Sequence, residues 1–335
     1  MRVISLLLVV LFSVLVVPVQ AGEPQGIAAY KRGDFATAVR ELVPAAEGGS
    51  ALAQTILGAM AANGEGGVAD PAAAAKWFAL AAAQGSADAQ HNLGYLYETG
   101  QGVPKDAATA VKWYRLAAEQ GYLDAQFNLA SVLATGAPGV AADTTESATW
   151  FLAAAQQGDA LAQHRFGVAL FSGRGVEKDQ AKAVEWFSKA AAQGLAEAQY
   201  TLGVSYNTGQ GVKPDDIEAA KWFQRSADQG YAPAQANLAL LYDHGQGVPQ
   251  SDDDAIKWYR LAADQGEPHA QHGLGEMYRN GYGVERDLVE AYKWANLAAQ
   301  QGHIEAMGNL SALAKRMTPE QITQGQAAAA AWSKR

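Results

Sequence analysis

The chain has 335 residues and a formal net charge of −9, and it contains no cysteine. A negative chain without clustered Lys and Arg does not suit a phosphate backbone, so we expect no nucleic-acid partner. The lack of cysteine excludes disulfides, thiolate metal sites and cysteine nucleophiles. Hydrophobic residues make up 49% of the chain but aromatic residues only 9%, which is typical of closely packed, alanine-rich helices.

Residues 1–21 have the pattern of a secretory signal peptide. Arg2 gives a short positive segment, residues 4–17 are almost wholly apolar, and Val19 and Ala21 are small residues at −3 and −1. We expect cleavage after Ala21 and a periplasmic or secreted protein. The apolar run is short for a bilayer span, so we expect no integral membrane segment in the mature chain. A retained N-terminal anchor is the alternative.

Seven tryptophans recur at a nearly constant spacing of 36 or 37 residues. A fixed period of this length is typical of one supersecondary unit copied and stacked into a solenoid. The seven are Trp77, Trp113, Trp150, Trp186, Trp222, Trp258 and Trp294.

Each copy contains the pattern of two helices. In the second copy, Ala89, Leu93 and Tyr97 form one stripe of a first helix, helix A, which Gly100 ends. Helix B begins at a capping residue seven positions before each tryptophan. These caps are Asp70, Asp106, Asp143, Asp179, Asp215, Ser251 and Asp287. The sequence therefore predicts an all-α fold, a right-handed α-solenoid of stacked antiparallel helix pairs in 36-residue repeats.

A glycine or alanine recurs in the middle of helix A, as at Gly94 and Gly203. Because glycine weakens a helix by about 1 kcal/mol, it indicates close packing there. We expect its partner to be the Ala-Ala pair of helix B, such as Ala117-Ala118, with the tryptophans on the buried side of helix B.

The two ends differ from the repeats, as the ends of a solenoid do. We predict a signal peptide at 1–21, an N-terminal capping unit at 22–52, seven repeats at 53–305 and C-terminal capping helices at 306–335. In the first unit Glu41 replaces the tryptophan, and Thr318-Pro319-Glu320-Gln321 has the form of a capping box. The third repeat is one residue longer, which we place in its loop at 137–139.

The repeats resemble the Sel1-like repeat family, the 36-residue relatives of the tetratricopeptide repeat. The shared pattern is Ala-Gln-x-x-Leu-Gly-x-x-Tyr-x-x-Gly-x-Gly-Val, then Asp, then Ala-x-x-Trp-x-x-x-Ala-Ala-x-x-Gly, and residues 53–302 fit it. The resemblance implies a helical solenoid that serves as an adaptor, assembly platform or host-contact protein. Some cysteine-rich members are linked to β-lactam chemistry, but this chain has no cysteine.

No catalytic, phosphate-binding or metal motif is present in the sequence. His269 and His272 could share a helix face, but Ala270 and Gln271 supply no third ligand. We therefore expect no enzyme activity, no cofactor and no metal site.

The variable face of helix A carries the candidate binding residues. In tetratricopeptide-type solenoids this helix lines the concave surface, and here the face is richer in aromatic and aliphatic residues than a solvated face. Burial against a neighbouring repeat is the alternative explanation. The predicted groove residues are His91, Asn92, Tyr95, Phe127, Asn128, His164, Val168, Phe171, Tyr200, Val204, Asn237, Leu240, His272 and Arg279.

These features predict an exported protein-interaction scaffold that binds a protein or peptide in this groove. Two alternatives remain: a weak β-lactamase-like hydrolase, and a structural component of an envelope assembly.

Overall fold

The computed structural model describes residues 22–332. The expected signal peptide and its cleavage site lie outside the described residues, as do residues 333–335. The described part folds into 18 helices, most of them 13 residues long. They are α1 (Glu23–Lys31), α2 (Phe35–Glu47), α3 (Ala51–Asn63), α4 (Pro71–Ala83), α5 (Ala87–Thr99), α6 (Ala107–Glu119), α7 (Leu123–Thr135), α8 (Thr144–Gln156), α9 (Ala160–Ser172), α10 (Gln180–Ala192), α11 (Ala196–Thr208), α12 (Asp216–Asp228), α13 (Ala232–His244), α14 (Asp252–Asp264), α15 (Pro268–Asn280), α16 (Leu288–Gln300), α17 (Ile304–Ala314) and α18 (Pro319–Trp332).

The helices form two compact units, which meet in the chain at Asp143 and Thr144. In the first unit α1 and α2, α3 and α4, and α5 and α6 form hairpins, and each hairpin packs on the next. The second unit repeats this arrangement from α9 and α10 through α15 and α16. No strand occurs between residues 22 and 332; an isolated bridge joins Ala137 to Val140 in the longer third loop. The predicted all-α solenoid is confirmed.

The predicted caps explain where helix B begins. Asp215 accepts from the backbone N–H groups of Ile217 and Glu218, each at 3.0 Å. Such a bond satisfies an otherwise unpaired N–H of the first turn and stabilises the helix by about 1 kcal/mol. The same capping bond is made by Asp70, Asp106, Asp179, Ser251 and Asp287.

The loop between helices A and B needs its second glycine because the previous repeat approaches it. Gly211 has a φ of 79°, and a Cβ there would lie 2.2 Å from the Gln180 carbonyl oxygen. An L side chain would be strained at this φ and would collide with the backbone. The same close approach to the backbone of the previous repeat occurs at Gly102, Gly175, Gly247 and Gly283, so in these repeats the Gly-x-Gly loop allows close packing between repeats.

In six of the seven repeats the core aromatic residue is the one after the tryptophan, and this corrects the sequence prediction. A Cβ on Gly203 would lie 2.7 Å from the Phe223 ring, so the mid-helix glycine packs against an aromatic ring and not against the Ala-Ala pair. The aromatic side chains buried directly after a tryptophan are Phe78, Tyr114, Phe151, Phe187, Phe223 and Tyr259. Helix α16 has Ala295 in that place, and there the backbone of α16 approaches Gly275.

The tryptophans flank this core. Trp258 and Trp294 are buried, but the other five are only half-buried, so the predicted burial is right for two of the seven. Arg225 lies over the Trp222 ring, with its guanidinium 4.4 Å from the ring centroid. Such a contact adds cation–π attraction and shields the exposed face of the ring from solvent.

Buried glutamines connect successive repeats. Gln199 donates from Nε2 to the Ala191 carbonyl at 3.2 Å, and its Oε1 accepts from Gln229 Nε2 at 2.7 Å. Buried polar groups must be paired, so the two bonds of this amide favour one position of each repeat relative to the previous one. The bond to an alanine carbonyl eight residues earlier recurs at Gln54, Gln90, Gln126, Gln163, Gln235 and Gln271.

The last helix covers the end of the second unit. The Trp332 ring packs edge-on against Trp294 at 6.0 Å, and Ala329 is fully buried. The capping box is confirmed, since Thr318 N–H donates to Gln321 Oε1 at 2.9 Å and Gln321 N–H donates to Thr318 Oγ1 at 3.3 Å. Among the described residues, no helix combines the length and the apolar character needed to cross a membrane.

Candidate functional site

The predicted groove residues of the first unit lie on α5 and α7. His91 is half-buried between the rings of Tyr114 and Tyr122, at 5.7 and 5.2 Å, and its Nε2 lies 3.1 Å from Asn128 Nδ2. Burial lowers the pKa of His91 below its usual value. This arrangement agrees with packing between repeats, which was the alternative explanation for the face.

The remaining residues of that face differ in exposure. Tyr95 is 45% exposed and Phe127 is half-buried. Asn92 donates to the backbone oxygen of Asp88 at 2.8 Å, one helical turn earlier. Tyr95 is therefore the accessible aromatic side chain of the predicted set in the first unit.

In the second unit, two of the three predicted groove residues of α9 pack against α10. His164 is only 6% exposed, its ring lies 5.5 Å from Phe187, and its Nε2 lies 3.0 Å from Thr201 Oγ1. Phe171 packs on the same Phe187 ring at 6.3 Å. Val168 is exposed and Val204 is half-buried.

Four predicted residues meet in one cleft of the second unit. Tyr200 on α11, Asn237 and Leu240 on α13 and His272 on α15 line a cavity of about 480 Å³. Leu240 is 41% exposed, and Tyr200 packs on Phe223 and Tyr231 with ring separations of 5.9 and 5.4 Å. One wall of the cleft is therefore apolar and accessible.

The polar part of the lining, called the polar wall, comes from residues outside the predicted groove set. Its side chains are Glu267 and His269 at the start of α15, and His303 and Glu305 at the start of α17. Glu267 Oε2 accepts from the Ala270 N–H at 2.6 Å and so caps α15. Two carboxylates line the cleft, and none of its twelve described lining residues is a lysine or arginine.

Three histidines contact one another in this wall, with the His269 ring edge-on to His303. His303 Nε2 lies 3.0 Å from His269 Nδ1, and the His303 ring stacks on His272 at 4.7 Å. In a neutral pair one ring donates and the other accepts, whereas two imidazolium rings would have no acceptor between them. His303 Nδ1 also accepts from the Ala306 N–H at 3.3 Å, which requires an unprotonated nitrogen. The hydrogen bonds of the cluster therefore require uncharged imidazole rings at His269 and His303.

Burial first, and the neighbouring histidines second, lower the pKa of His272 and of His303 below their usual value. His272 Nε2 lies 2.8 Å from Asn309 Nδ2, which also donates to Glu276 Oε1 at 2.8 Å. The predicted groove residue Arg279 is half-buried and forms an ion pair with Glu276. Across residues 22–332, no group of three or more His, Cys, Asp or Glu side chains could hold a metal ion.

Seven consecutive segments of the chain match the model of the Sel1 repeat: 51–86, 87–122, 123–159, 160–195, 196–231, 232–267 and 268–303. The chain belongs to the Sel1 repeat family. The repeat boundaries drawn from the sequence, 53–305, start and end two residues later.

Two solved structures are similar to this Sel1 repeat protein over most of their length. One is a Sel1 repeat protein from Oxalobacter formigenes, with 34% identity, a TM-score of 0.69, and coverage of 87% of this chain and 86% of that one. The other is a protective antigen of uropathogenic Escherichia coli displaying an SLR fold, with 28% identity, a TM-score of 0.64, and coverage of 93% and 83%. A search of curated proteins finds no significant match.

The cleft residues missed by sequence reasoning stand at irregular positions of the Sel1 repeat. Glu267 and His303 precede α15 and α17 and occupy the cap position that is serine before α3 and α5. His269 and Glu305 are likewise 36 residues apart, two positions further on. The cap position alone could not have found them, because its residue also varies in the other repeats, with tyrosine before α7 and α13, aspartate before α9 and leucine before α11.

Proposed function

We propose that this Sel1 repeat protein is an exported, non-enzymatic scaffold that binds a protein or peptide segment in the cleft of its second unit. Sel1 repeat proteins are generally protein-interaction scaffolds, and the repeat fold suggests protein partners. The observation that carries the proposal is the cleft, which is lined both by accessible apolar side chains and by polar groups from the starts of α15 and α17. Such a combination gives a segment of peptide both an anchor and directional contacts.

Non-catalytic scaffolds are typical of the Sel1 repeat fold. Glu267 and His303 cap α15 and α17, and His269 and His272 bond to His303 and Asn309 of the next repeat, which supports a role in shape and recognition. Tyr95 and Phe127 stay predicted contact residues of the first unit.

The binding proposal is tested with a matched pair of leucines. Leu240 lines the cleft and is 41% exposed, whereas Leu261 on α14 is 44% exposed and does not line it. Peptides selected by display on the full mature chain should bind at least about fivefold more weakly to Leu240→Ser, since a buried leucine anchor contributes roughly 1.5–3 kcal/mol. Leu261→Ser should bind like the wild type. Equal affinities for both variants would contradict the proposal.

Export is a separate part of the proposal and rests on the sequence of residues 1–21. Expression of the full chain in a bacterium, followed by fractionation and intact mass measurement, should give a periplasmic or secreted protein that begins at Gly22. A mass that retains residues 1–21 would show an N-terminal anchor or a protein that is not exported.

A further inference from the structure

The cleft of the second unit carries negative charge, and the proposed function does not yet say which ligand group would pair with it. Glu267 and Glu305 line it, and its twelve described lining residues include no lysine or arginine. The histidines do not supply the missing cation in this geometry, because His303 Nδ1 accepts from Ala306 and His303 Nε2 donates its proton to His269 Nδ1, which leaves both rings uncharged. The polar wall is therefore anionic.

Arg279, which acts electrostatically on His272, is already paired. It forms an ion pair with Glu276, which also accepts a hydrogen bond from Asn309. Glu305 is 72% exposed at its side chain, and its Oε2 lies 3.3 Å from His303 Nδ1. Glu267 uses Oε2 for the cap of α15. Both carboxylates can accept a further charged donor from a ligand.

Apolar side chains line the same cavity. Leu240 and the half-buried Tyr200 present carbon surface next to the polar Asn237. An anionic ligand would be repelled by the glutamates, and a wholly apolar one would bury their charges without a partner, which is costly. A ligand with a cationic group beside an apolar group satisfies both walls.

We propose that the cleft binds a peptide segment carrying a lysine or arginine next to an aliphatic or aromatic residue. The cationic group contacts Glu267 and Glu305, and the apolar side chain packs on Leu240 and Tyr200. This inference rests on the proposed function, because it names the partner chemistry of the same cleft.

The test uses three fluorescein-labelled nonapeptides at physiological salt, identical except that a central leucine is flanked by two lysines, two glutamines or two glutamates. Anisotropy titrations use the full mature chain and two double variants. Glu267→Gln with Glu305→Gln removes the cleft charges, and a glutamine Oε1 can still cap α15. Glu185→Gln with Glu285→Gln removes two exposed glutamates of the same unit that do not line the cleft.

The lysine peptide should bind at least about tenfold more tightly than the glutamine peptide, and the glutamate peptide should bind most weakly. The cleft double variant should lose about tenfold or more in affinity for the lysine peptide, whereas the control double variant should change less than about twofold. Circular dichroism confirms that both variants are folded.

Three results would overturn the inference. Equal loss in the two double variants would mean general charge attraction. If lysine and glutamine peptides bind equally and Leu240→Ser still weakens both, the cleft binds peptides but the cationic specificity is wrong. If no peptide distinguishes Leu240→Ser from Leu261→Ser, the proposed function fails as well.

Discussion

Gly203 shows how one residue sets the distance between the two helices of a repeat. Glycine lowers helix stability by roughly 1 kcal/mol relative to alanine. It is nevertheless needed at this position, because a Cβ there would lie 2.7 Å from the Phe223 ring. The sequence predicts this close approach but not its partner. Trp222 and Phe223 are adjacent, about 100° apart on one helix, and both fall on a broad apolar face, so spacing alone does not tell which ring points into the core.

Alanine substitutions at two helical glycines should have opposite effects. Gly203→Ala should destabilise the protein by roughly 1–3 kcal/mol, because the methyl group overpacks a filled core. Gly308→Ala in α17 should stabilise it by up to about 1 kcal/mol, because a Cβ there meets no atom within 4 Å. Urea unfolding followed by far-ultraviolet circular dichroism measures both. Changes of the same sign would contradict the close-packing account.

Gln199 illustrates a residue that the repeat pattern contains but whose role needs the structure. Gln199→Ala would remove its bonds to the Ala191 carbonyl and to Gln229 Nε2, each of which contributes about 0.5–1.5 kcal/mol. The urea midpoint should fall accordingly. Gln326→Ala, on an exposed position of α18, is the control and should change it little. A midpoint for Gln199→Ala equal to that of the control would remove the inter-repeat role.

The helices themselves could be predicted almost fully from the sequence. The cap of helix B and the glycine that ends helix A recur in all seven copies. The roles of Asp215 and Gly209 can therefore be predicted by comparison with the equivalent residues of the other copies. The polar wall of the cleft could not be predicted in this way. Glu267 and His303 come together only because stacking places the start of α15 beside the start of α17.

The contact between α15 and α17 should depend on pH. The pKa of His272 and that of His303 are lowered from 6.5, by burial first and by neighbouring histidines second. Glu267, His269 and Glu305 act on His303, while His303, Glu305, Arg279 and His269 act on His272. The unfolded chain then binds protons more readily than the folded one. Stability is fully present above about pH 6.5 and falls as the pH drops through the lowered pKa values.

A comparison of two histidine variants isolates this effect from that of the other buried histidines. His303→Asn keeps an oxygen that can cap α17 but removes the titrating ring. Its melting temperature should fall less between pH 7.5 and pH 5 than that of the wild type. His244→Asn, at an exposed position of α13, should show the full decrease. If His303→Asn shows the same decrease as the wild type, the cluster is not the pH-sensitive contact.

On the scale of the whole molecule, the repeated residues build the solenoid and the irregular residues distinguish its surfaces. Fold and family follow from the repeated set, since tryptophans, caps and loop glycines all recur in seven copies. The structure divides the predicted groove residues: His91 and His164 pack between repeats, whereas Tyr95, Val168 and Leu240 are exposed. The helical periodicity of the sequence predicts on which face of a helix a side chain lies. How far the side chain is buried depends on its neighbours in the adjacent repeat.

The most direct test of the central claim is site-specific photo-crosslinking in the cells that make the protein. A photoreactive phenylalanine analogue is placed at position 240 in the cleft or at position 261 on α14, and the adducts are identified by mass spectrometry. We predict that position 240 crosslinks to one contiguous segment of a partner protein, and that position 261 does not. The same adducts at both positions, or none at position 240, would contradict the account.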